Sequence, residues 1–200
     1  MNRIPILLIY SRLLLGLLVV FLSTLSLPNY APIAFGILTI GLLTDIFDGI
    51  IARRLNISNE KLRRLDSTID VVFFVSIAIA TYLQCPDFFS SNVTKVMILV
   101  SSEVLTYIIS YIKFKKEIAT HSIGAKVWTL FLFATLVQII FQCQSVLLFN
   151  LCFWIGLLTR IEIMAIVLSL KKWTNDVPTI YHAIQLRSGK KIKRHKLFNG

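Results

Sequence analysis

The sequence predicts an all-α integral membrane protein with six transmembrane helices, a short interfacial helix and a basic tail. Hydrophobic residues make up 56% of the 200-residue chain, and its mean hydropathy is +0.76. The apolar residues run in blocks of about 20, the length that crosses a hydrocarbon core of roughly 30 Å. These blocks lack the polar stripe that a helix of this length carries in a soluble protein.

The apolar blocks place the six predicted spans at 4–25, 33–55, 65–83, 93–112, 123–141 and 146–170. Charge placement supports this division, because the loops after spans one, three and five contain no Lys or Arg. Lys95 alone lies beside one of them, and the other loops and both ends of the chain hold the basic residues. This distribution follows the positive-inside rule, so we expect both termini on the cytoplasmic side.

The net charge of +11 is explained mainly by this topology and by attraction to anionic lipids. The tail segment GKKIKRHK resembles a nucleic-acid patch when taken alone, but basic segments beside a span usually meet lipid headgroups. We therefore expect a lipid bilayer and no nucleic acid as a partner.

The chain is expected to divide into a six-span domain at 1–172 and an amphipathic, basic cytoplasmic tail at 173–200. Asp176 is the predicted N-cap of the interfacial helix, with Pro178 in its first turn. A solvated tail is the alternative. The apolar positions of this helix recur at helical spacing: Val177, Ile180, Tyr181, Ile184 and Leu186.

The three cysteines, Cys85, Cys143 and Cys152, have no spacing typical of a metal or redox site. We interpret them as small apolar residues. A bridge between Cys85 and Cys143, which both lie near the predicted outer face, is the alternative.

Acidic residues concentrate in two pairs on spans two and three. Asp45 and Asp48 are three residues apart, and Asp66 and Asp70 are four apart, so each pair occupies one helix face. Helical rise places Asp45 and Asp70 about 13 Å and 9 Å from the cytoplasmic ends of their spans. The two pairs therefore reach similar depth on adjacent antiparallel helices and can face one pocket.

Four close carboxylates cannot all stay ionised unless cations lie between them. An all-oxygen site favours Mg²⁺ or Mn²⁺, and two such ions can hold a diphosphate. Gly49 allows close approach to the backbone, and Arg53 offers donors to phosphate. The alternative is an interfacial salt network in which the aspartates pair with neighbouring arginines, namely Arg53, Arg54, Arg63 and Arg64.

Five further charged residues lie within predicted spans: Arg12, Glu103, Lys126, Arg160 and Glu162. They predict interhelical ion pairs, for example Arg12 with Glu103 or Lys126 with Glu162. Lys126 is also a candidate ligand for an acceptor phosphate, and Arg160 is a second candidate.

Residues 45–70, DIFDGIIARRLNISNEKLRRLDSTID, resemble the signature of the CDP-alcohol phosphatidyltransferase family. That signature reads D-x-x-D-G-x-x-A-R, then eight residues, then G-x-x-x-D-x-x-x-D, and Leu62 replaces its second Gly. The opening segment with Ile4, Pro5, Ser11 and Arg12 is also similar to that of the family. Size and span pattern resemble phosphatidylglycerophosphate synthase-like members.

The resemblance implies a role for each matching residue. Asp45, Asp48 and Asp66 would hold two divalent cations, Mg²⁺ or Mn²⁺. Asp70 would complete the metal site and act as general base on the acceptor hydroxyl. The CDP moiety of CDP-diacylglycerol, or of a similar CDP-lipid, would be cradled by Gly49, Ala52 and Arg53, with Thr44 a further candidate.

The acceptor implied by the resemblance is a small alcohol, and glycerol 3-phosphate is the leading candidate. Gly124, Lys126 and Thr129 resemble a cluster of the phosphatidylglycerophosphate synthases. Ser102, Ser110 and Trp128, however, stand where that subfamily carries basic residues, so a polyol or lipid-headgroup acceptor is the alternative.

The resemblance further implies a homodimer. We expect the protein in the bacterial inner membrane, with its active site on the cytoplasmic side, where the basic loops lie. A transporter and a catalytically silent scaffold are the competing functions. A transporter site would lie near the midplane between inverted repeats, and the chain has no evident internal repeat. Leu62 is the feature that favours a silent scaffold.

Overall fold

The computed structural model describes residues 4–25, 27–55, 59–118, 120–190 and 192, without the side chain of Arg53. The described chain is helical and contains no strand. The helices are α1 (Ile4–Ser23), α2 (Tyr30–Arg54), α3 (Glu60–Gln84), α4 (Pro86–Ser91), α5 (Val93–Phe114), α6 (Ile123–Gln142), α7 (Leu147–Ser169) and α8 (Ile180–Arg187). All except α4 and α8 are long and apolar enough to cross a membrane, which confirms the predicted all-α class with six spans.

Two helix starts differ from the predicted spans for local reasons. Helix α3 begins five residues before the apolar block, because the Asn59 side chain accepts a 2.9 Å hydrogen bond from the Leu62 amide and caps a polar first turn. Helix α4 lies in the predicted outer loop and has Pro86 in its first turn, where the missing amide hydrogen costs nothing. A hydropathy pattern detects neither feature.

The chain forms two compact units, of which the first comprises Met1–Asn92 and Phe133–Ser145. In this unit α1 packs against α3 and α2. A Cβ atom added at Gly16 of α1 would lie 3.1 Å from the Ser76 hydroxyl, and one at Gly41 of α2 would lie 2.1 Å from the Phe73 ring. Small residues thus let these helices approach closely, as is common between membrane helices.

The far end of α3 is fastened by a disulfide between Cys85 and Cys143. The interpretation of these two cysteines as unpaired apolar residues was wrong, since both lie within the first unit at helix ends that meet. Cys152 is a buried free thiol, as that interpretation expected. The Gln84 amide also donates a 2.7 Å hydrogen bond to the Ser23 carbonyl, which ties the end of α3 to the end of α1.

The second unit comprises Val93–Leu132 and Val146–Gly200, and in it α7 packs against α5 and α8. Lys113 caps the end of α7 by donating to the carbonyls of Val167, at 3.1 Å, and Leu168, at 2.6 Å. A cation at this position satisfies carbonyls that have no partner within the helix.

The predicted tail helix forms, but it begins later than expected. Its N-cap is Thr179, whereas Asp176 is buried with a positive φ of 53°, so the prediction of Asp176 as N-cap was wrong. Asp176 precedes a buried Val177, and the turn there carries the chain back onto α7. A shared apolar cluster joins α8 to α7 and contains Ile166, Leu170, Val177 and Ala183. Residues 193–200 of the predicted basic tail lie outside the described residues.

Candidate active site

Helices α2 and α3 bring four carboxylates together near the start of α3, and we call these residues the aspartate cluster: Asp45, Asp48, Asp66 and Asp70. Spacings of three and four residues put both members of each pair on one helix face. Carboxylate oxygens of Asp45, Asp48 and Asp66 all lie within 4.8 Å of one another. The predicted convergence of the two pairs is therefore present in the structure.

The guanidinium of Arg12, from α1, lies among these carboxylates and contacts all four. Its Nη1 donates to Asp45 Oδ1 at 2.9 Å and also contacts Asp70, and its Nη2 donates to Asp66 Oδ1 at 2.6 Å and to Asp48. The Arg12 residue is fully buried. Each terminal nitrogen thus joins one carboxylate of α2 to one of α3.

The predicted pairing of Arg12 with Glu103 was wrong, because Arg12 contacts the aspartate cluster and Glu103 pairs with Arg160. The salt-network alternative did not include Arg12. Of the arginines that it did include, Arg63 lies 3.8 Å from Asp66. Depth is the signal that would have identified Arg12: it is the ninth residue of α1, about 12 Å from the helix start, close to the depth of the aspartates.

The four carboxylates differ in their access to solvent. The side chains of Asp48 and Asp66 are 2% and 6% exposed, whereas those of Asp45 and Asp70 are 31% and 23% exposed. The buried pair is suited to holding a fixed charge, and the accessible pair can meet a molecule that enters from outside the cluster.

The aspartate cluster fits a divalent cation. Mg²⁺ and Ca²⁺ bind oxygen at roughly 2.0–2.6 Å, so two oxygens on opposite sides of one ion are separated by about 4–5 Å. The three carboxylates within 4.8 Å of one another match that separation, and all the donors are oxygen atoms. A guanidinium among them also shows that the cluster attracts positive charge.

A recess beside the cluster is formed by α1, α2 and α3 and encloses about 180 Å³ of space, part of it open to solvent. A water-sized sphere can occupy about 10 Å³ of that space, which is room for about one water molecule, whereas typical small-molecule pockets hold about 300–1,000 Å³. Leu62 forms part of the recess wall. The lining residues are Pro5, Ile9, Asp48, Gly49, Ala52, Leu62, Arg63 and Asp66.

The predicted nucleotide-binding residues differ in whether they line this recess. Gly49 and Ala52 are buried and line the recess. Thr44 does not line it, and its hydroxyl donates a 2.8 Å hydrogen bond to the Gly41 carbonyl. The side chain of Arg53 lies outside the described part of the structure.

The residues predicted to bind an acceptor phosphate lie in the second unit. Arg160 forms a 2.6 Å ion pair with Glu103, and its guanidinium carbon lies 4.5 Å from the centre of the Trp128 ring. Because the guanidinium already makes these contacts, Arg160 is less available to bind a phosphate. Lys126 is an exposed residue in the first turn of α6, and it makes other interactions in the structure.

Comparison with known proteins identifies one relationship. The family model described as CDP-alcohol phosphatidyltransferase matches residues 2–171, which is most of the chain. No match to the chain is found among curated proteins or among solved structures.

Proposed function

This chain belongs to the CDP-alcohol phosphatidyltransferase family and is therefore a transferase of substituted phosphate groups. On that premise, we propose that it transfers a phosphatidyl group from CDP-diacylglycerol or a similar CDP-lipid. The phosphatidyl group passes to an alcohol acceptor, and CMP is released. The observation that carries this proposal is the convergence of four carboxylates from α2 and α3 beside a recess lined by Gly49 and Ala52.

The aspartate cluster supplies the metal site in this proposal. Asp45, Asp48 and Asp66, whose carboxylate oxygens lie close together, would hold two divalent cations, Mg²⁺ or Mn²⁺, and Asp70 would complete the set. When bound, the cations offset the negative charge of the diphosphate and of the departing CMP. Burial of Asp48 and Asp66 keeps their carboxylates fixed, since neighbouring helices leave them little room to turn.

Asp70 takes the proton of the acceptor hydroxyl in the transfer step. The freed oxygen attacks the phosphorus bonded to the diacylglycerol oxygen, the bond from that phosphorus to the bridging oxygen breaks, and CMP leaves. Asp70 suits this role because its side chain is 23% exposed and stands at the edge of the cluster. Positioning and charge stabilisation supply most of the catalysis in phosphoryl transfer of this kind.

The nucleotide side of the site is formed by the recess beside the cluster. Gly49 and Ala52 present little side chain there, so the diphosphate and ribose can approach the α2 backbone. We include Arg53 as a phosphate donor and Thr44 as a weaker contact, on the family resemblance. Leu62 narrows this recess, and it is expected to weaken binding of the cytidine without preventing it.

Glycerol 3-phosphate is the acceptor that we propose first, with Lys126 as the ligand of its phosphate. A phosphate monoester brings close to two negative charges and needs charge-assisted donors. The commitment of Arg160 to Glu103 removes one such donor, so a polyol or the headgroup of another lipid is the second candidate.

We propose that the active site faces the cytoplasm of a bacterial inner membrane. The disulfide at the end of α3 favours this orientation, because such bonds persist in oxidising compartments and are rare in the cytosol. Asp66 lies nineteen residues before Cys85, about 28 Å along the helix, so the cluster and the disulfide belong to opposite membrane faces.

The remaining parts of the proposal concern the domain limits, the tail and the assembly state. Residues 1–172 form the catalytic six-span domain, and 173–200 form a cytoplasmic tail. Helix α8 exposes Tyr181 and Ile184, by 63% and 55%, and these residues would enter the lipid interface. A homodimer is proposed from the family resemblance.

An acceptor screen tests the proposed reaction. Purified protein is supplied with CDP-diacylglycerol and Mn²⁺, and CMP release is measured with glycerol 3-phosphate, myo-inositol, serine or phosphatidylglycerol. The proposal expects release that depends on both metal and acceptor, and turnover of glycerol 3-phosphate that falls in Lys126→Ala. Turnover with an uncharged alcohol alone would replace the acceptor, and no CMP release with any acceptor would contradict the reaction.

A further inference from the structure

The charges in contact with Arg12 are unequal in number. One guanidinium faces four carboxylates, and Arg63 is 3.8 Å from one of them, so negative charge exceeds positive charge among these groups. Arg12 is fully buried, and within the described structure its Nε has no hydrogen-bond partner. The carboxylates, and not a contact at Nε, therefore determine where the guanidinium lies.

The pattern of contacts joins two helices through one side chain. Nη1 bridges Asp45 of α2 to Asp70 of α3, and Nη2 bridges Asp48 of α2 to Asp66 of α3. A planar guanidinium presents its donors in a fixed fork and stays charged, which suits this double bridge. A lysine ammonium is a compact charge that cannot reproduce the fork.

The oxygens that Arg12 contacts belong to the residues that fit a divalent cation. Asp45, Asp48 and Asp66 supply the oxygens lying within 4.8 Å of one another, and Arg12 donates to each of these three carboxylates. A cation bound among them would share those oxygens with a guanidinium of the same sign of charge. Like charges in so confined a space repel each other, so the two cannot both keep their full set of contacts.

We propose that Arg12 is a built-in counter-cation of the aspartate cluster. Arg12 holds the four carboxylates together before a metal binds, and it gives up its contacts with their oxygens when the metal binds. This inference rests on the proposed metal site and adds a positioning residue to it. Arg12 prevents the carboxylates from driving α2 and α3 apart in the metal-free protein. Its contacts are then weakened on metal binding, which makes Arg12 and the metal competitors.

Linkage gives the sign of the expected effect. A group that stabilises the metal-free state more than the metal-bound state lowers metal affinity, and its removal raises that affinity by the same free energy. We therefore expect Arg12→Gln to bind Mn²⁺ about fivefold or more tightly than the wild type, since coupling between two sites commonly reaches that size. The same variant should lose thermal stability mainly in the absence of metal.

The experiment measures Mn²⁺ affinity by the electron paramagnetic resonance of the free ion, and thermal unfolding in detergent with and without Mn²⁺. Arg12→Gln should show tighter binding and a larger increase in Tm on Mn²⁺ addition than the wild type. Arg12→Lys, which keeps a charge without the fork, should lie between them. Arg160→Gln is the matched control, because Arg160 is also a buried arginine within a span but pairs with Glu103.

Arg160→Gln should lower Tm equally with and without Mn²⁺ and leave the Mn²⁺ affinity unchanged. If Arg12→Gln cannot be purified without metal, the proposal expects it to be recovered folded with Mn²⁺ present throughout, and Arg12→Lys then supplies the affinity. Unchanged or weaker Mn²⁺ binding in the Arg12 variants would overturn the inference about Arg12. An absence of Mn²⁺ binding in every variant and in the wild type would instead overturn the metal site and, with it, this inference.

Discussion

Two buried ionic groups within the spans of this protein differ in their ratio of cations to anions. In the first unit, Arg12 contacts all four carboxylates of the aspartate cluster. In the second unit, Arg160 pairs with Glu103 at 2.6 Å and stacks on Trp128. In the second group one cation faces one anion, whereas in the first the Arg12 guanidinium faces four carboxylates, in a region where charge is costly.

This difference is the reason for proposing a reaction site at the first group and a structural ion pair at the second. A one-to-one pair with an aromatic neighbour is satisfied within the protein and needs no ligand. An excess of carboxylates persists in a folded protein when a cation from solution completes it. The balance of buried charge, more than burial itself, therefore indicates which of the two groups carries chemistry.

The largest effect is expected from Asp70→Asn in the aspartate cluster. An amide cannot accept the proton of the acceptor hydroxyl, and positioned acid–base groups contribute about 10²- to 10⁴-fold to rate. CMP release should fall by about that factor, while folding and part of the Mn²⁺ binding remain. Wild-type turnover in this variant would show that Asp70 is not the base. It would also remove one reason to distinguish the aspartate cluster from the Glu103–Arg160 pair.

A smaller effect, on stability alone, is expected from Glu103→Gln in the balanced group. Removing one partner of a buried pair leaves a charge without compensation and costs about 3 kcal/mol, near the lower end for such pairs because Glu103 is 25% exposed. Thermal unfolding should show the loss, and replacing Arg160 with Leu in the same protein should restore much of it. Mn²⁺ affinity should not change; a weakened affinity would mean that both groups serve the metal site.

Packing around Trp128 provides a test within the second unit. A Cβ added at Gly156 would lie 2.6 Å from Trp128 Nε1 and 2.9 Å from a Leu99 methyl carbon, so Gly156→Ala overpacks this contact. We expect a loss of about 1–3 kcal/mol in thermal or denaturant unfolding. Gly36→Ala is the control, because a Cβ there has no neighbour within 4 Å in the described structure. Equal stability of both variants would show that the Trp128 ring can shift beneath Arg160 without a loss of stability.

The smallest effect is expected at Leu62, which lines the recess beside the aspartate cluster. Leu62→Gly should lower the apparent KM for the CDP-lipid by about threefold, less than the tenfold that corresponds to about 1.4 kcal/mol. Initial rates at varied CDP-lipid concentration measure it. An unchanged or raised KM would show that this chain accommodates cytidine in another way.

The sequence predicted the features that depend on periodicity and on spacing along one helix. The six spans and the two aspartate pairs belong to this class, because apolar runs and intervals of three or four residues determine them. Arg12 was assigned to the wrong partner, because the choice between Glu103 and the aspartates depends on how helices distant in sequence pack. For the same reason, the sequence offered the disulfide between Cys85 and Cys143 as an alternative and not as the preferred interpretation.

Local geometry accounts for the other differences. Asp176 has the composition of an N-cap, but its positive φ places it in a turn, and Thr179 takes the capping position instead. Helix α4 is a single short helix in a loop whose composition is typical of a turn. Such choices are made by a few backbone angles and contacts, which composition alone does not determine.

We propose that the aspartate cluster is a metal site and that the Glu103–Arg160 pair is not. A Mn²⁺ titration of purified protein, followed by the resonance of the free ion, tests it in one measurement. We expect Mn²⁺ binding in the wild type and in Glu103→Gln, and a large loss of binding in a variant that combines Asp48→Asn with Asp66→Asn. Undiminished binding in that double variant, in a protein that remains folded by thermal unfolding, would contradict the claim.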